Sequence, residues 1–280
     1  MLKNLLVQGD NLKFLKTLPD ESVQLIYIDP PFNTGKIQTR PIQKMTVDSR
    51  GETIGYGGRR YKSEKIGQYS YRDSFDDFNS FLQPRMQEAK RILKKSGSIY
   101  LHLDYRESHY AKVEMDKLFG RDNFLNEIIW AYDYGAKAKN RWPAKHDTIL
   151  VYVKDTNNYY FNNEEVDREP YMAPGLVTKE KAERGKLPTD VWWHTIVSPT
   201  GKEKTGYPTQ KPEGILRRIV QASSKEGDTV LDFFAGSGTT GAVASKLGRN
   251  FILVDQNPQS IEVIKKRLKD TDFEFKDDSK

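Results

Sequence analysis

The residues best suited to chemistry are Asp29, Pro30, Pro31 and Phe32, which follow an apolar run at residues 25–28. Each proline fixes its own φ, lacks an N–H and disfavours helix at the residue before it, so backbone carbonyls point outward unpaired. A carboxylate, free carbonyls and an aromatic face together suit the binding of an amino group on a flat heterocycle. Taken alone, the same four residues also fit an ordinary strand that ends in a turn.

A glycine-rich turn follows a predicted strand at residues 229–233 and opens a helix, with the sequence Phe234, Ala235, Gly236, Ser237, Gly238 and Thr239. Its glycines let the backbone approach a ligand, and its hydroxyls lie beside the positive end of the helix. About 20 residues further on, Asp255 ends the next strand, where a carboxylate can accept both hydroxyls of a ribose. The spacing predicts a nucleoside-cofactor site. A dinucleotide site is the main alternative, although the third glycine of that fingerprint is absent from its usual place, and no lysine follows for a phosphate-binding P-loop.

The elements between these residues follow an α/β pattern. Short apolar runs predict strands at residues 5–7, 25–28, 98–103, 148–153, 229–233 and 251–254. Amphipathic stretches predict helices at residues 11–18, 75–94, 108–118, 213–223 and 238–247. We therefore expect an α/β fold with a doubly wound, mainly parallel sheet that brings the two motifs to one edge.

Composition excludes several mechanisms. The 280 residues, 36% hydrophobic, can form one catalytic domain with or without an insertion. The absence of cysteine excludes disulfides, thiolate metal sites and a cysteine nucleophile. We find neither a leader segment nor the ~18 apolar residues of a membrane span, so we expect a cytoplasmic, nucleoid-associated protein. The four histidines have no metal-ligand spacing, and we predict no metal.

Two regions break the α/β rhythm. Residues 33–66 lack periodicity and carry eight basic against three acidic residues, so we expect a mobile basic loop beside Asp29. Residues 133–206 are irregular, with basic side chains around Trp142, an arrangement that serves phosphate and base contacts. Together with the formal charge of +6, these regions favour a polyanionic partner. The candidate nucleic-acid contacts are Lys36, Arg40, Arg59, Arg60, Lys137, Lys139, Arg141 and Lys145.

The two motifs, Asp29 to Asn33 and Phe234 to Gly238, resemble the motif pair of S-adenosylmethionine-dependent amino-methyltransferases that act on DNA. Their order, catalytic motif first, resembles the β group of DNA adenine-N6 and cytosine-N4 methyltransferases. Matching motifs also occur at residues 9–11, 18–20, 97–104, 129–130 and 207–212. The resemblance implies a Rossmann-like catalytic domain of permuted motif order, formed by residues 1–132 and 207–280. It also implies a target-recognition region at residues 133–206 that shares the strand at 148–153 with the core sheet.

The resemblance also implies a role for each site residue. Asp29 and the Pro30 carbonyl would accept hydrogen bonds from adenine N6, and Phe32, next to Pro31, would stack on the extruded base. Transfer would be a direct in-line displacement with no covalent enzyme intermediate. The S-adenosylmethionine contacts would be Asp10, Asn11, Asp29, Thr209, Lys211, Phe234, Ala235, Gly236, Ser237, Gly238, Thr239 and Asp255.

Several assignments have alternatives. Trp130 and Tyr132 would line the pocket of the extruded base or pack in the core. Asp10 also suits the N-cap of the following helix, Lys211 also suits a surface charge, and we expect Asp232 to hold the glycine-rich turn.

Double-stranded DNA is the expected partner. Cytosine-N4 methylation uses the same chemistry, although Asp29 in place of serine favours adenine. Methylation of RNA or of a protein amide uses related motifs, with the order reversed and asparagine leading. A non-catalytic DNA-binding subunit of the same fold is the alternative from a different class. The resemblance leaves open the target sequence, a homodimer and a cognate restriction endonuclease.

Overall fold

The structure, a computed structural model, describes residues 4–33, 36–50, 52–54, 60–73, 77–133, 135, 137–198 and 201–279. The strands are β1 (Leu5–Gly9), β2 (Val23–Ile28), β3 (Lys36–Val47), β4 (Thr53–Ile54), β5 (Arg60–Asp73), β6 (Leu93–Leu103), β7 (Phe124–Ala131), β8 (His146–Val153), β9 (Val191–Trp193), β10 (Thr229–Asp232), β11 (Asn250–Asp255) and β12 (Glu274–Asp278). The α-helices are α1 (Asn11–Leu15), α2 (Phe78–Ile92), α3 (Ser108–Phe119), α4 (Lys179–Arg184), α5 (Glu213–Ser223), α6 (Thr239–Lys246) and α7 (Pro258–Arg267).

The central sheet is mainly parallel. In the described part of the chain its nine strands run in the order β12-β1-β11-β10-β2-β6-β8-β7-β9. The strands from β12 to β6 pair in parallel, β8 is antiparallel to β6 and β7, and β9 is parallel to β7. All six predicted strands are present, and β8 joins the core sheet as expected. The doubly wound, mainly parallel sheet is therefore confirmed.

Helices cover both faces of this sheet, which explains why β2 is buried at every position. The side chains of α1, α2 and α3 pack on one face, and those of α5, α6 and α7 pack on the other. Helix α5 has the predicted bounds, whereas α2 begins three residues later than predicted because the Asp77 side chain accepts a hydrogen bond from the Ser80 N–H. No helix in the described ranges is long and apolar enough to cross a membrane.

The prediction of an irregular loop at residues 33–66 was wrong for the backbone that the structure describes. Strands β3, β4 and β5 form a separate antiparallel sheet in the order β3-β5-β4. Val47, Arg60 and Lys62, near one end of this ribbon, are exposed. Residues 33–66 lack the alternation of apolar and polar residues that predicts a strand, so periodicity does not reveal these strands. Sequence analysis also did not name β7, α7 or the polar edge strand β12.

The region at residues 133–206 is not one separate unit. Strands β8 and β9 belong to the central sheet, and the segment after β8 lies along α5. Three ion pairs attach that segment to the catalytic core: Asp167 with Arg217 at 2.6 Å, Glu169 with Arg218 at 2.7 Å and Glu165 with Arg249 at 3.0 Å. By the directions of the strands, the connection between β7 and β8 and the segment after β9 lie at the edge where β2 and β6 end.

Candidate active site

A pocket of about 450 Å³ opens at the carboxyl ends of β2, β10 and β11. The turn after β2 contributes Asp29, Pro30, Pro31 and Phe32 to its wall. The remaining predicted residues in the wall are Asn11, Thr209, Lys211, Phe234, Ala235, Gly236, Ser237, Thr239 and Asp255. The fold therefore brings together the two motifs that are far apart in the sequence. Asp10 and Gly238 were predicted as cofactor contacts but are not among the residues that line the described pocket.

The Asp29 carboxylate has one occupied and one open oxygen. Its Oδ2 accepts a hydrogen bond from Lys211 Nζ at 2.5 Å, whereas Oδ1 is buried and has no partner among the described residues. A buried acceptor without a donor is costly, so Oδ1 is suited to an N–H from a ligand. Lys211 is only 7% exposed, which excludes the surface-charge alternative. Its Nζ also lies 5.0 Å from the centroid of the Phe32 ring, a cation–π distance.

The glycine-rich turn is closed by Asp255. The two carboxylate oxygens accept hydrogen bonds from the N–H groups of Gly236 and Asn257, each at 2.8 Å. Burial raises the pKa of Asp255. Since each carboxylate oxygen has a second lone pair, Asp255 can still accept from a ligand hydroxyl.

Gly238, the N-cap of α6, is required by geometry. Its φ is +71°, and a Cβ there would lie 2.8 Å from Ile264 Cγ1. The turn therefore keeps its shape only with glycine at this position.

Asp232 stabilises the glycine-rich turn through hydrogen bonds, as expected. It accepts hydrogen bonds from the Phe234 N–H at 3.0 Å and from Thr240 Oγ1 at 2.6 Å. Burial raises the pKa of Asp232 to about 7, and the nearby charges of Asp29 and Asp255 act in the same direction. Three carboxyl groups thus share this end of the sheet, with Lys211 paired to one of them.

Sequence analysis missed the wall that α2 provides, formed by Phe81 and Arg85. Arg85 Nε donates to Asn11 Oδ1 at 2.7 Å, and its guanidinium lies 3.9 Å from the centroid of the Phe81 ring. Asn11 Nδ2 in turn donates to the Phe233 carbonyl at 2.7 Å, so the Asn11 amide is held at both ends. Asp10 N-caps α1, as the alternative proposed, and lies 3.7 Å from Arg85. An arginine in an amphipathic helix looks like a surface charge, and only packing reveals its role.

The structure places Trp130 in the core. Its ring is 2% exposed, and its Nε1 donates to the His194 carbonyl at 2.6 Å. The prediction of a DNA contact was therefore wrong for this indole, and the core-packing alternative applies. Tyr132 is half-buried and donates to Asp147 Oδ1 at 3.0 Å. Neither residue is among those that line the described pocket.

Residues 23–266 match the family model described as DNA methylase, N6_N4_Mtase. This chain belongs to that DNA methylase family. It is 34% identical over 271 residues to the DNA adenine methyltransferase YhdJ of Escherichia coli strain K12, with 94% of this chain and 82% of YhdJ covered.

Solved structures share the fold of this DNA methylase. The M1.HpyAVI–SAM complex matches with a TM-score of 0.59 and 21% identity, over 94% of this chain and 98% of that chain. The PvuII DNA methyltransferase, described as cytosine-N4-specific, matches with a TM-score of 0.62 and 16% identity, over 99% of this chain and 96% of that chain. The predicted methyltransferase fold is confirmed.

A basic segment of this DNA methylase lies at the edge of the sheet where the pocket opens. Since β8 is antiparallel to β6, and β7 to β8, the connection at residues 132–145 lies at that edge. Lys137, Lys139 and Arg141 are exposed there, and Trp142 is 95% exposed. Lys145 is half-buried and its Nζ donates to the Asp133 carbonyl at 2.9 Å. Among the other predicted contacts, Arg60 is exposed on β5, whereas Arg59 and the side chains of Lys36 and Arg40 lie outside the described residues.

Proposed function

We propose that this chain transfers a methyl group from S-adenosylmethionine to N6 of adenine within a specific sequence of double-stranded DNA. One observation carries this proposal. Asp29, whose buried Oδ1 has no hydrogen-bond partner among the described residues, lines the same pocket as Pro30, the glycine-rich turn and Asp255. An acceptor for an amino hydrogen is thus combined with a nucleoside-binding turn. The adenine-specific name of YhdJ supports the proposal.

The pocket residues fit the cofactor. The Asp255 carboxylate faces a pocket whose backbone turn is held open by Gly236, with a φ of +51°, and suits the ribose hydroxyls. Phe81, Arg85 and Asn11 provide the wall for the adenine moiety. S-adenosylmethionine supplies an activated methyl group on a sulfonium. Lys211 was expected to contact the cofactor, but its ion pair with Asp29 supports a role in orienting the catalytic carboxylate.

The chemistry that the residues perform is orientation followed by charge stabilisation. The lone pair of an adenine amino group is delocalised into the ring, so the nitrogen is a poor nucleophile. Asp29 Oδ1 and the Pro30 carbonyl accept one N6 hydrogen each and favour a pyramidal nitrogen whose lone pair faces the methyl group. As the N–C bond forms, positive charge develops on N6 and is stabilised by the Asp29 carboxylate. The amino proton becomes acidic at that stage and passes late to Asp29 Oδ1, the acceptor of its hydrogen bond.

The target adenine must flip out of the duplex to reach this pocket, because the enzyme cannot reach N6 while the base is stacked inside the duplex. Phe32 presents its ring to the extruded base. The exposed cations and Trp142 at residues 137–142 provide phosphate contacts at the same edge. The proposal requires neither a homodimer nor a cognate restriction endonuclease. Light scattering of the purified protein would show whether it forms a homodimer.

The test is Asp29→Asn. Asparagine keeps the size of the side chain but loses the charge that stabilises N6, so we expect methyl transfer to fall at least about 100-fold. Binding of S-adenosylmethionine, measured by calorimetry, should change by less than about threefold, since the other predicted cofactor contacts remain. Nucleoside mass spectrometry of the DNA product should show N6-methyladenine.

The control is Asp228→Asn, since Asp228 pairs with Lys94 at 3.4 Å, far from the pocket at the amino end of β10. This variant should methylate at the wild-type rate. Near-normal turnover of Asp29→Asn would refute the assignment. N4-methylcytosine as the product would favour the cytosine alternative, and cofactor binding by the wild type without transfer would favour the non-catalytic subunit.

A further inference from the structure

A buried chain of hydrogen bonds lies directly behind the Asp29 motif and takes no part in the mechanism above. The Tyr27 hydroxyl lies 2.8 Å from His102 Nδ1, and His102 Nε2 lies 3.1 Å from Asp147 Oδ2. Asp147 also accepts from the Tyr132 hydroxyl. His102 is 0% exposed and Tyr27 is 2% exposed. Such a network fixes an imidazole ring at both nitrogens.

The positions of the hydrogens in this network follow from the pKa shifts of Asp147 and Tyr27, which both hydrogen-bond to His102. Burial acts to raise the pKa of Asp147, but the hydrogen bond from His102, the charge of Lys211 and the hydrogen bond from Tyr132 lower it overall. Asp147 is therefore an acceptor, and His102 Nε2 carries the hydrogen. Burial keeps the pKa of Tyr27 well above its ordinary value, so the Tyr27 hydroxyl keeps its proton and donates to Nδ1.

The fixed imidazole supports the ring that would stack on the base. The centroids of His102 and Phe32 are 6.0 Å apart with an interplanar angle of 30°, an arrangement typical of offset aromatic contact. On another side, the edge of His102 meets Trp130 at 5.6 Å and 85°. His102 therefore cannot rotate without disturbing four neighbours, Tyr27, Asp147, Phe32 and Trp130. Phe32 is itself only half-buried, and the contact with His102 adds to its packing against the hydrophobic core.

We propose that His102, locked by Tyr27 and Asp147, is a positioning residue that holds Phe32 at the angle needed to stack on the extruded base. This inference rests on the proposed function, because it assigns the support of that same base pocket. A misplacement of about 1 Å in a reacting group can cost on the order of 100-fold in rate. The alternative is that the network only stabilises the sheet.

The chain offers a matched pair of variants that separates the two roles. Tyr27→Phe removes one buried hydroxyl and frees His102 Nδ1. Tyr100→Phe removes another buried hydroxyl, which is 2.7 Å from Ser223 Oγ. Tyr100 lies on β6 two residues before His102 and is the cross-strand neighbour of Tyr27, but its hydroxyl bonds with Ser223 and not with His102. If the network is only structural, both variants lose similar stability and keep similar activity.

The measurements are single-turnover methyl transfer to unmethylated DNA, calorimetric binding of S-adenosylmethionine, and fluorescence of 2-aminopurine placed at the methylated position. We expect Tyr27→Phe to slow transfer roughly 10- to 100-fold and to change the 2-aminopurine signal, with unchanged cofactor binding. Tyr100→Phe should stay within about twofold of the wild type. In a Phe32→Leu background, Tyr27→Phe should have little further effect, because both act through one contact.

Three results would overturn the inference: equal rates for Tyr27→Phe and Tyr100→Phe, weaker cofactor binding by Tyr27→Phe, or additive losses in the double variant. A wild-type protein that does not methylate adenine in DNA would instead refute the proposed function.

Discussion

Asp232→Asn should make the stability of this protein less dependent on pH between about pH 4 and 8. Asp232 is buried under the glycine-rich turn, and its pKa is raised from 3.8 to about 7 because burial disfavours the charged form. In this interval the folded protein holds a proton on Asp232 that the unfolded chain has released. Rising pH therefore destabilises the fold, with the full contribution present below pH 4 and lost as the pH passes through about 7. Asparagine cannot ionise, so this loss disappears.

The magnitude follows from the two pKa values. The two pKa values differ by about three pH units, and each unit corresponds to about 1.4 kcal/mol. The wild type therefore loses about 4 kcal/mol of stability between pH 4 and pH 8. Asparagine keeps an acceptor for the Phe234 N–H but changes the bond with Thr240, which costs about 1 kcal/mol at all pH values. The variant should thus be about 1 kcal/mol less stable than the wild type at pH 4 and about 3 kcal/mol more stable at pH 8.

The assay is urea unfolding followed by circular dichroism at pH 4, 5, 6, 7 and 8, at constant ionic strength. The burial-raised pKa of Asp255 contributes in the same direction but is present in both proteins, so the difference between them reports Asp232 together with its coupling to Asp29 and Asp255. Asp228→Asn, which neutralises a carboxylate at the other end of β10, is the control. Parallel pH profiles for the wild type and Asp232→Asn would refute the reasoning.

Two further predictions concern the same pocket. Lys211→Met should abolish most methyl transfer and lower the free energy of unfolding by about 3 kcal/mol, because it leaves the Asp29 carboxylate buried without its partner. Lys246→Met, which removes a more exposed ion pair, should cost less than about 1 kcal/mol, and equal losses in urea unfolding would contradict this prediction. Gly238→Ala should weaken cofactor binding by about tenfold and lower stability by about 2 kcal/mol, since the added Cβ meets a side chain of α7 at positive φ. Gly227→Ala, also at positive φ but with no described atom within 4 Å of the Cβ, should lose only stability in the same calorimetric and unfolding assays.

The pattern of apolar residues along the chain was sufficient to predict the strands of the core. The apolar runs of β2, β10 and β11 are long enough to be recognised because a strand buried on both faces must be apolar at nearly every position. The bounds of α5 followed from its three- and four-residue periodicity. The edge strand β12 was not predicted, since its residues are mostly exposed and carry no such apolar pattern. The pairing of β3 with β5 was not predicted either.

In the active site too, some features were predictable from the sequence and others were not. The sequence alone predicted Asp29 and the glycine-rich turn as the site, because a carboxylate before two prolines and a glycine-rich turn before an aspartate have few other uses in combination. Only the tertiary structure decided which partners they have. It paired Lys211 with Asp29, brought Arg85 to Asn11 and placed Trp130 in the core rather than against DNA. The physical reason is that backbone conformation follows from local residue types, whereas burial, charge pairing and pKa depend on neighbours that are remote in the chain.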